Sequence, residues 1–183
     1  TDALDGDTFD LVIRCYDDLK DQSFPYGKQT LNRGGMWYTP VSGIWQSVWL
    51  ESVPAEYIQR LNIENRGASV TITTEPQLEG KVILAGQEYP LVSGSVTITP
   101  EAPHFWSPED PFLYNFAVET AQDRVESYFA LRTLETKVVD GIPRLCLNGK
   151  PYFFHGLLDQ GYFPDGIYLP GSPEGITFDV AKM

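Results

Sequence analysis

Gly35-Met36-Trp37-Tyr38-Thr39-Pro40-Val41-Ser42-Gly43-Ile44-Trp45-Gln46-Ser47-Val48-Trp49-Leu50-Glu51 is the stretch on which the reading of this chain turns. It holds three of the four tryptophans. Trp45, Ser47 and Trp49 alternate with Gln46, Val48 and Leu50, which predicts a strand with both faces largely apolar. A Pro-Val-Ser-Gly turn leads into it, and Gly43 can take a positive φ there. Such a strand wants cover on both faces, as an aromatic strand in the core of a β-sandwich has.

Downstream, residues 57–137 read as short strands separated by turn residues, at the spacing of about 8–12 residues typical of a sandwich. The alternating segments are 57–64, 69–75, 81–85, 95–99, 113–120 and 125–131. Asn65-Arg66-Gly67, Glu79-Gly80, Ser93-Gly94 and Gln122-Asp123 supply the turns. Val70, Ile72 and Thr74 should face one way, Thr71 and Thr73 the other. The pattern predicts an immunoglobulin-like sandwich without the paired cysteines of antibody domains. In the proline-rich loop 100–111, Trp106 is expected to pack over the end of the sandwich and His104 to be a hydrogen-bonded structural residue. Leu145-Cys146-Leu147, the turn Asn148-Gly149 and Tyr152-Phe153-Phe154 predict a hairpin.

Upstream, residues 8–15 read as a strand followed by the acidic turn Asp17-Asp18. Beyond Gly156 the chain is dense in Gly, Pro, Tyr and Asp, with a turn expected at Asp165-Gly166. Residues 176–183 read as an amphipathic helix capped by Thr177. Acidic residues outnumber basic ones by 25 to 13, a formal net charge of -12, which repels nucleic acid and anionic membranes. No apolar run approaches the roughly 18 residues needed to span a bilayer. Cys15 and Cys146 both sit in apolar, strand-like contexts and are expected to be buried free thiols, which leans towards a reducing, cytoplasmic compartment. A leader upstream stays open.

Four phrases, in order, carry a resemblance. They are Ser42-Gly43-Ile44-Trp45-Gln46 with Val48-Trp49-Leu50-Glu51; His104-Phe105-Trp106-Ser107-Pro108-Glu109-Asp110-Pro111 with Leu113-Tyr114; Tyr128-Phe129-Ala130-Leu131-Arg132-Thr133-Leu134-Glu135; and Leu147-Asn148-Gly149-Lys150-Pro151 running into Phe153-Phe154-His155-Gly156. Together they resemble glycoside hydrolase family 2, the β-galactosidases, β-glucuronidases and β-mannosidases. The resemblance implies an all-β chain: an immunoglobulin-like β-sandwich with flanking pieces of a jelly-roll domain and of a truncated (β/α)8 barrel. Residues 1–54 would be the C-terminal part of the jelly-roll sugar-binding domain, 55–137 the sandwich and 138–183 the start of the catalytic barrel. The implied parent is a retaining exo-β-glycosidase, most like a β-galactosidase, that hydrolyses terminal O-glycosidic bonds in carbohydrate metabolism.

Retaining β-glycosidases work with two carboxylic acids about 5–5.5 Å apart, one protonating the leaving oxygen and one attacking the anomeric carbon. The family takes both from later barrel strands, one of them within an Asn-Glu dipeptide. No glutamate here follows an asparagine. Asp17 with Asp18, and Glu109 with Asp110, read as solvated turn or capping groups. The segment is therefore expected to be a non-catalytic scaffold with no cofactor and no metal. Barrel enzymes build their sites from loops at the carboxyl ends of strands. The resemblance accordingly implies that Asp159, with His155, Gln160 and Tyr162, borders the sugar. The partners it implies are a β-linked carbohydrate, the remaining jelly-roll and barrel portions, and possible further copies in a homo-oligomer. The alternative is a free-standing β-sandwich module that binds carbohydrate or protein through Trp37, Trp106 or the tyrosines around Tyr162.

Overall fold

The computed structural model describes residues 8, 10–19, 23, 26–44 and 46–183, so Phe9 and Trp45 lie outside the described residues. Two compact units emerge, one of Glu51–Gly156 and one of the described residues of Thr1–Leu50 with Leu157–Met183.

Seven of the ten strands of the Glu51–Gly156 unit form two antiparallel sheets. β1 (Arg60–Arg66), β2 (Ser69–Glu75) and β5 (Ser95–Ile98) form one in the order β1-β2-β5. The other joins β3 (Gly80–Leu84), β4 (Gln87–Leu91), β6 (Tyr114–Thr120) and β7 (Arg124–Phe129) in the order β4-β3-β6-β7. Period-two alternation decides which side chains meet. On β2, Val70 and Ile72 are fully buried and Thr74 nearly so, while Thr71 and Thr73 are only half-buried. Val82, Leu84, Phe116, Val118, Ile98, Phe129 and Leu131 join them in a single core. Each such side chain contributes about 1.5–3 kcal/mol on leaving water. Thr74 is tolerated inside because its Oγ1 accepts a hydrogen bond from Leu78 N–H at 3.2 Å. The outward face of the larger sheet is ionic: Lys81 Nζ lies 2.6 Å from Glu88 and 3.5 Å from Glu119, and Arg124 pairs with Glu119 and Glu126.

The first strand is displaced from the expected 57–64 to Arg60–Arg66. β4 was not expected at all. Its sequence, Gln87-Glu88-Tyr89-Pro90-Leu91, is polar and holds a proline, and it lies at the sheet's edge, where proline is tolerated. The two residues between β3 and β4, Ala85 and Gly86, have φ of 50° and 82°, the left-handed pair of a tight hairpin.

β8 (Leu134–Val139), β9 (Ile142–Leu147) and β10 (Lys150–Pro151) form a third sheet in the order β10-β9-β8. The predicted turn at Asn148-Gly149 is present, yet its outgoing arm is β10 alone. Residues 152–154 form no strand, and β9 takes its main partner, β8, from the other side. Asn148 binds this sheet to the sandwich loops. Its backbone N–H donates to Thr133 O at 2.9 Å, its Oδ1 accepts from Thr133 N–H at 3.0 Å, and its Nδ2 donates to Trp106 O at 3.0 Å. Trp106 is half-buried, its N–H donates to Leu131 O at 2.8 Å, and Arg132 lies over its ring at 5.2 Å.

In the other unit, neither of two expected strands is present among the described residues. Residues 46–51 and 10–15 form no ladder, and Trp49, Val48, Leu50 and Val12 are exposed. Aromatic alternation supplies the faces of a strand, but a strand also needs a continuous backbone ladder, and the described residues of these segments lie in none. Cys15 is accordingly exposed rather than buried, while Cys146 is buried in β9 as expected, and both thiols are free. Residues 157–161, which the resemblance puts just past the first barrel strand, and residues 152–156 before them form no strand. The single helix among the described residues, α1 (Pro173–Lys182), begins earlier than predicted. Ser172 occupies the cap position and Pro173 the first turn, where its missing N–H costs nothing. Thr177 lies inside the helix, its Oγ1 donating back to Pro173 O at 3.5 Å. Gly175 interrupts the apolar pattern in sequence but fits the helix, because a Cβ there would come within 2.6 Å of Pro170. No helix among the described residues is long and apolar enough to cross a membrane.

Candidate functional site

Of the four residues expected to border a sugar, Gln160 and Tyr162 are drawn together through a third, Tyr38. The hydroxyl of Tyr38 donates to Gln160 Oε1, across 122 positions of sequence. Its ring lies 5.2 Å from that of Tyr162, tilted by 47°, and Tyr162 meets Tyr168 edge-on at 6.1 Å. The Tyr162 hydroxyl points at Thr39 O, a long contact of 3.5 Å.

Local backbone chemistry places Tyr38. Its N–H donates to Lys28 O at 2.9 Å, and Thr30 N–H donates to its carbonyl at 3.2 Å. Gln29 braces the same loop, giving an Nε2 bond to Tyr26 O at 3.1 Å and accepting Val41 N–H on Oε1 at 2.7 Å. Lys28 Nζ lies 5.8 Å from the Tyr38 ring centroid, a cation on a π face.

On the opposite side, Asp159 Oδ1 accepts Gly161 N–H at 2.7 Å, an Asx turn that fixes the backbone just before Tyr162. Phe163 and Ile167 exchange backbone hydrogen bonds of 2.7 and 3.0 Å around Asp165-Gly166, which form the expected turn. Burial holds the Tyr168 phenol above its ordinary value, with the charges of Tyr162 and Asp17 adding to it. A cavity of about 160 Å³ lies between residues 41–44 and 166–168. It is smaller than the roughly 300 Å³ at the low end of ligand pockets. Tyr38, Gln160 and Tyr162 do not line it; with Gln160 and Tyr162 exposed and Tyr38 half-buried, their cluster is an open aromatic and amide surface. His155 belongs to the Glu51–Gly156 unit, where its N–H donates to Phe153 O at 3.0 Å and its ring stacks on Phe153.

The paired carboxylates have structural partners. Asp17 Oδ2 accepts the Ser42 hydroxyl at 2.6 Å, and Asp110 Oδ2 meets His104 Nε2 at 2.6 Å. Glu109 lines a groove of about 740 Å³ with Asp110, Glu135, Lys150 and Tyr152. Its own backbone N–H, then hydrogen bonds from Tyr152 and Ser107, hold its carboxyl below the usual glutamate range. A general acid needs the reverse shift.

Because folding lowers the Glu109 pKa, the Glu109–Tyr152 bond contributes stability at neutral pH and loses it as pH falls through the folded-state value. Thermal unfolding should show wild type ahead of Glu109→Gln near pH 7, with the gap closing in acid. A gap that persists unchanged to about pH 2, below all ordinary glutamate titration, would contradict this assignment.

Sequence and fold comparisons agree on the ancestry. Residues 53–132 match the family described as "Glycosyl hydrolases family 2". Among solved structures, the β-glucuronidase of Faecalibacterium prausnitzii is similar, with a TM-score of 0.55 and 26% identity over 70% of this chain. The match takes in 22% of that enzyme, so the chain spans about a fifth of its length. No curated protein matches the chain by sequence. The family match lies on the sandwich strands and the likeness to a solved β-glucuronidase extends over most of the chain, so the two comparisons together support a fragment of the glycosyl hydrolases family 2 kind.

Proposed function

We propose that this chain is a segment of a retaining exo-β-glycosidase, itself non-catalytic, that lends one edge of the sugar site. In this reading residues 1–54 belong to the jelly-roll sugar-binding domain, 55–137 to the bridging sandwich and 138–183 to the start of the catalytic barrel. Both catalytic carboxylates lie outside residues 1–183, and the sandwich holds the flanking domains in place. The observation that carries the reading is the meeting of Gln160 and Tyr162 with Tyr38 in one aromatic and amide surface. Aromatic faces pack against the C–H face of a pyranoside, and an amide supplies the directional bond. Asp159, whose carboxylate fixes the backbone just before Tyr162, is the further border residue in this reading.

The glycone we favour is a β-galactoside. A β-glucuronide is the second reading, favoured by the name of the similar enzyme and by Lys28, a cation beside the cluster that suits a uronate. Hydrolysis of a panel of aryl β-glycosides by the intact enzyme and by the 183-residue chain decides among these. The expected result is turnover by the intact enzyme, fastest on the β-galactoside, and none by the chain. Preference for the glucuronide would replace the glycone assignment, and reproducible turnover by the chain would overturn the scaffold role.

A further inference from the structure

We infer that Tyr38 is a positioning residue for Gln160, setting the side-chain amide so that its Nε2 hydrogens face the ligand. The inference rests on the reading above, in which Gln160 borders the sugar, and adds the chemistry of its contact: an acceptor oxygen, either a hydroxyl or a carboxylate. A glutamine amide has an acceptor at one end and two donors at the other. Tyr38 donates its phenolic hydrogen to Oε1. A phenol donates more strongly than it accepts, and an amide oxygen is the stronger acceptor of the pair. The flipped amide would exchange this bond for a weaker one. With Oε1 engaged, the end of Gln160 left for a ligand is the donor end.

For this to matter, Tyr38 must itself be fixed. Hydrogen bonds at its N–H and carbonyl hold its backbone, and the ring has Lys28 Nζ at 5.8 Å and the Tyr162 ring at 5.2 Å as neighbours. Gln160, by contrast, is exposed on a segment without regular structure, so the phenol supplies the order its own backbone lacks. A support of this kind confers a set geometry on a group that would otherwise sample several rotamers.

The test is a double-mutant cycle in the intact enzyme with Tyr38→Phe, Gln160→Ala and the pair, read as kcat, KM and melting temperature on its best aryl β-glycoside. Gln160→Ala should lower kcat/KM by about tenfold, the loss of one ligand hydrogen bond. Tyr38→Phe should lower it by about threefold to tenfold, with the melting temperature unchanged. The double variant should match Gln160→Ala alone, since Tyr38 acts only through that amide. Additive losses, or a Tyr38→Phe effect that survives in the Gln160→Ala background together with a lower melting temperature, would make Tyr38 a structural residue and overturn the inference. A silent Tyr38→Phe beside an impaired Gln160→Ala would overturn it while leaving the sugar-border reading intact. A silent Gln160→Ala would overturn both.

Discussion

Replacing Phe129 with alanine should cost the chain about 3–5 kcal/mol of unfolding free energy. Phe129 is 4% exposed, lies at the end of β7 and stacks on Tyr114 at 4.9 Å while tilting against Phe116 at 5.8 Å. The truncated side chain forfeits its transfer free energy, and the surrounding strands, tied into a four-stranded ladder, cannot collapse into the space. Guanidinium unfolding followed by far-ultraviolet circular dichroism measures it. A loss below about 1 kcal/mol, the range of a surface change, would show that the two sheets do not close on each other at this point.

The second large effect is expected at Gly94. Its φ is +70°, and a Cβ would stand 2.6 Å from Gln77 Cα and 3.0 Å from Thr74 Oγ1. The Gly94 carbonyl also accepts Thr74 N–H at 2.8 Å, and Thr74 Oγ1 in turn holds Leu78 N–H. Alanine there must displace backbone against backbone, disturbing Thr74, the one buried polar side chain among the described residues. We expect Gly94→Ala to cost about 2–4 kcal/mol, adding steric displacement to left-handed strain. Gly86 is the control. Its φ is +82°, yet a Cβ there would meet nothing within 4 Å. Gly86→Ala should therefore cost only about 1 kcal/mol, the conformational part. Equal losses at the two positions would contradict the packing described around Thr74.

The sandwich was legible because its strands are half-buried and their alternation records which face is wet. Ser69–Glu75 is the clearest case, with every second residue inside. Strands that break this relation were missed. β4 carries Pro90 at an edge, and β8 is exposed over nearly all its length, so neither leaves an alternating signature. The tryptophan-rich stretch shows the opposite error. Its family wording was informative, but its apolar alternation implied a ladder that the described residues do not form. Gln160 and Tyr162 were named as candidates through resemblance alone, not periodicity. Tyr38 was not reached, since a hydroxyl-to-amide bond spanning 122 positions leaves no local pattern.

The central proposal is that this segment frames a sugar site whose reacting carboxylates lie elsewhere in the intact enzyme. A slow-releasing fluorinated β-glycoside traps the covalent glycosyl-enzyme intermediate of a retaining enzyme, and peptide mass spectrometry then locates the labelled residue. The account predicts a labelled glutamate outside residues 1–183 of the intact enzyme, with the 183-residue chain alone left unmodified. A label on any carboxylate within these residues, Glu109 or Asp159 included, would contradict it.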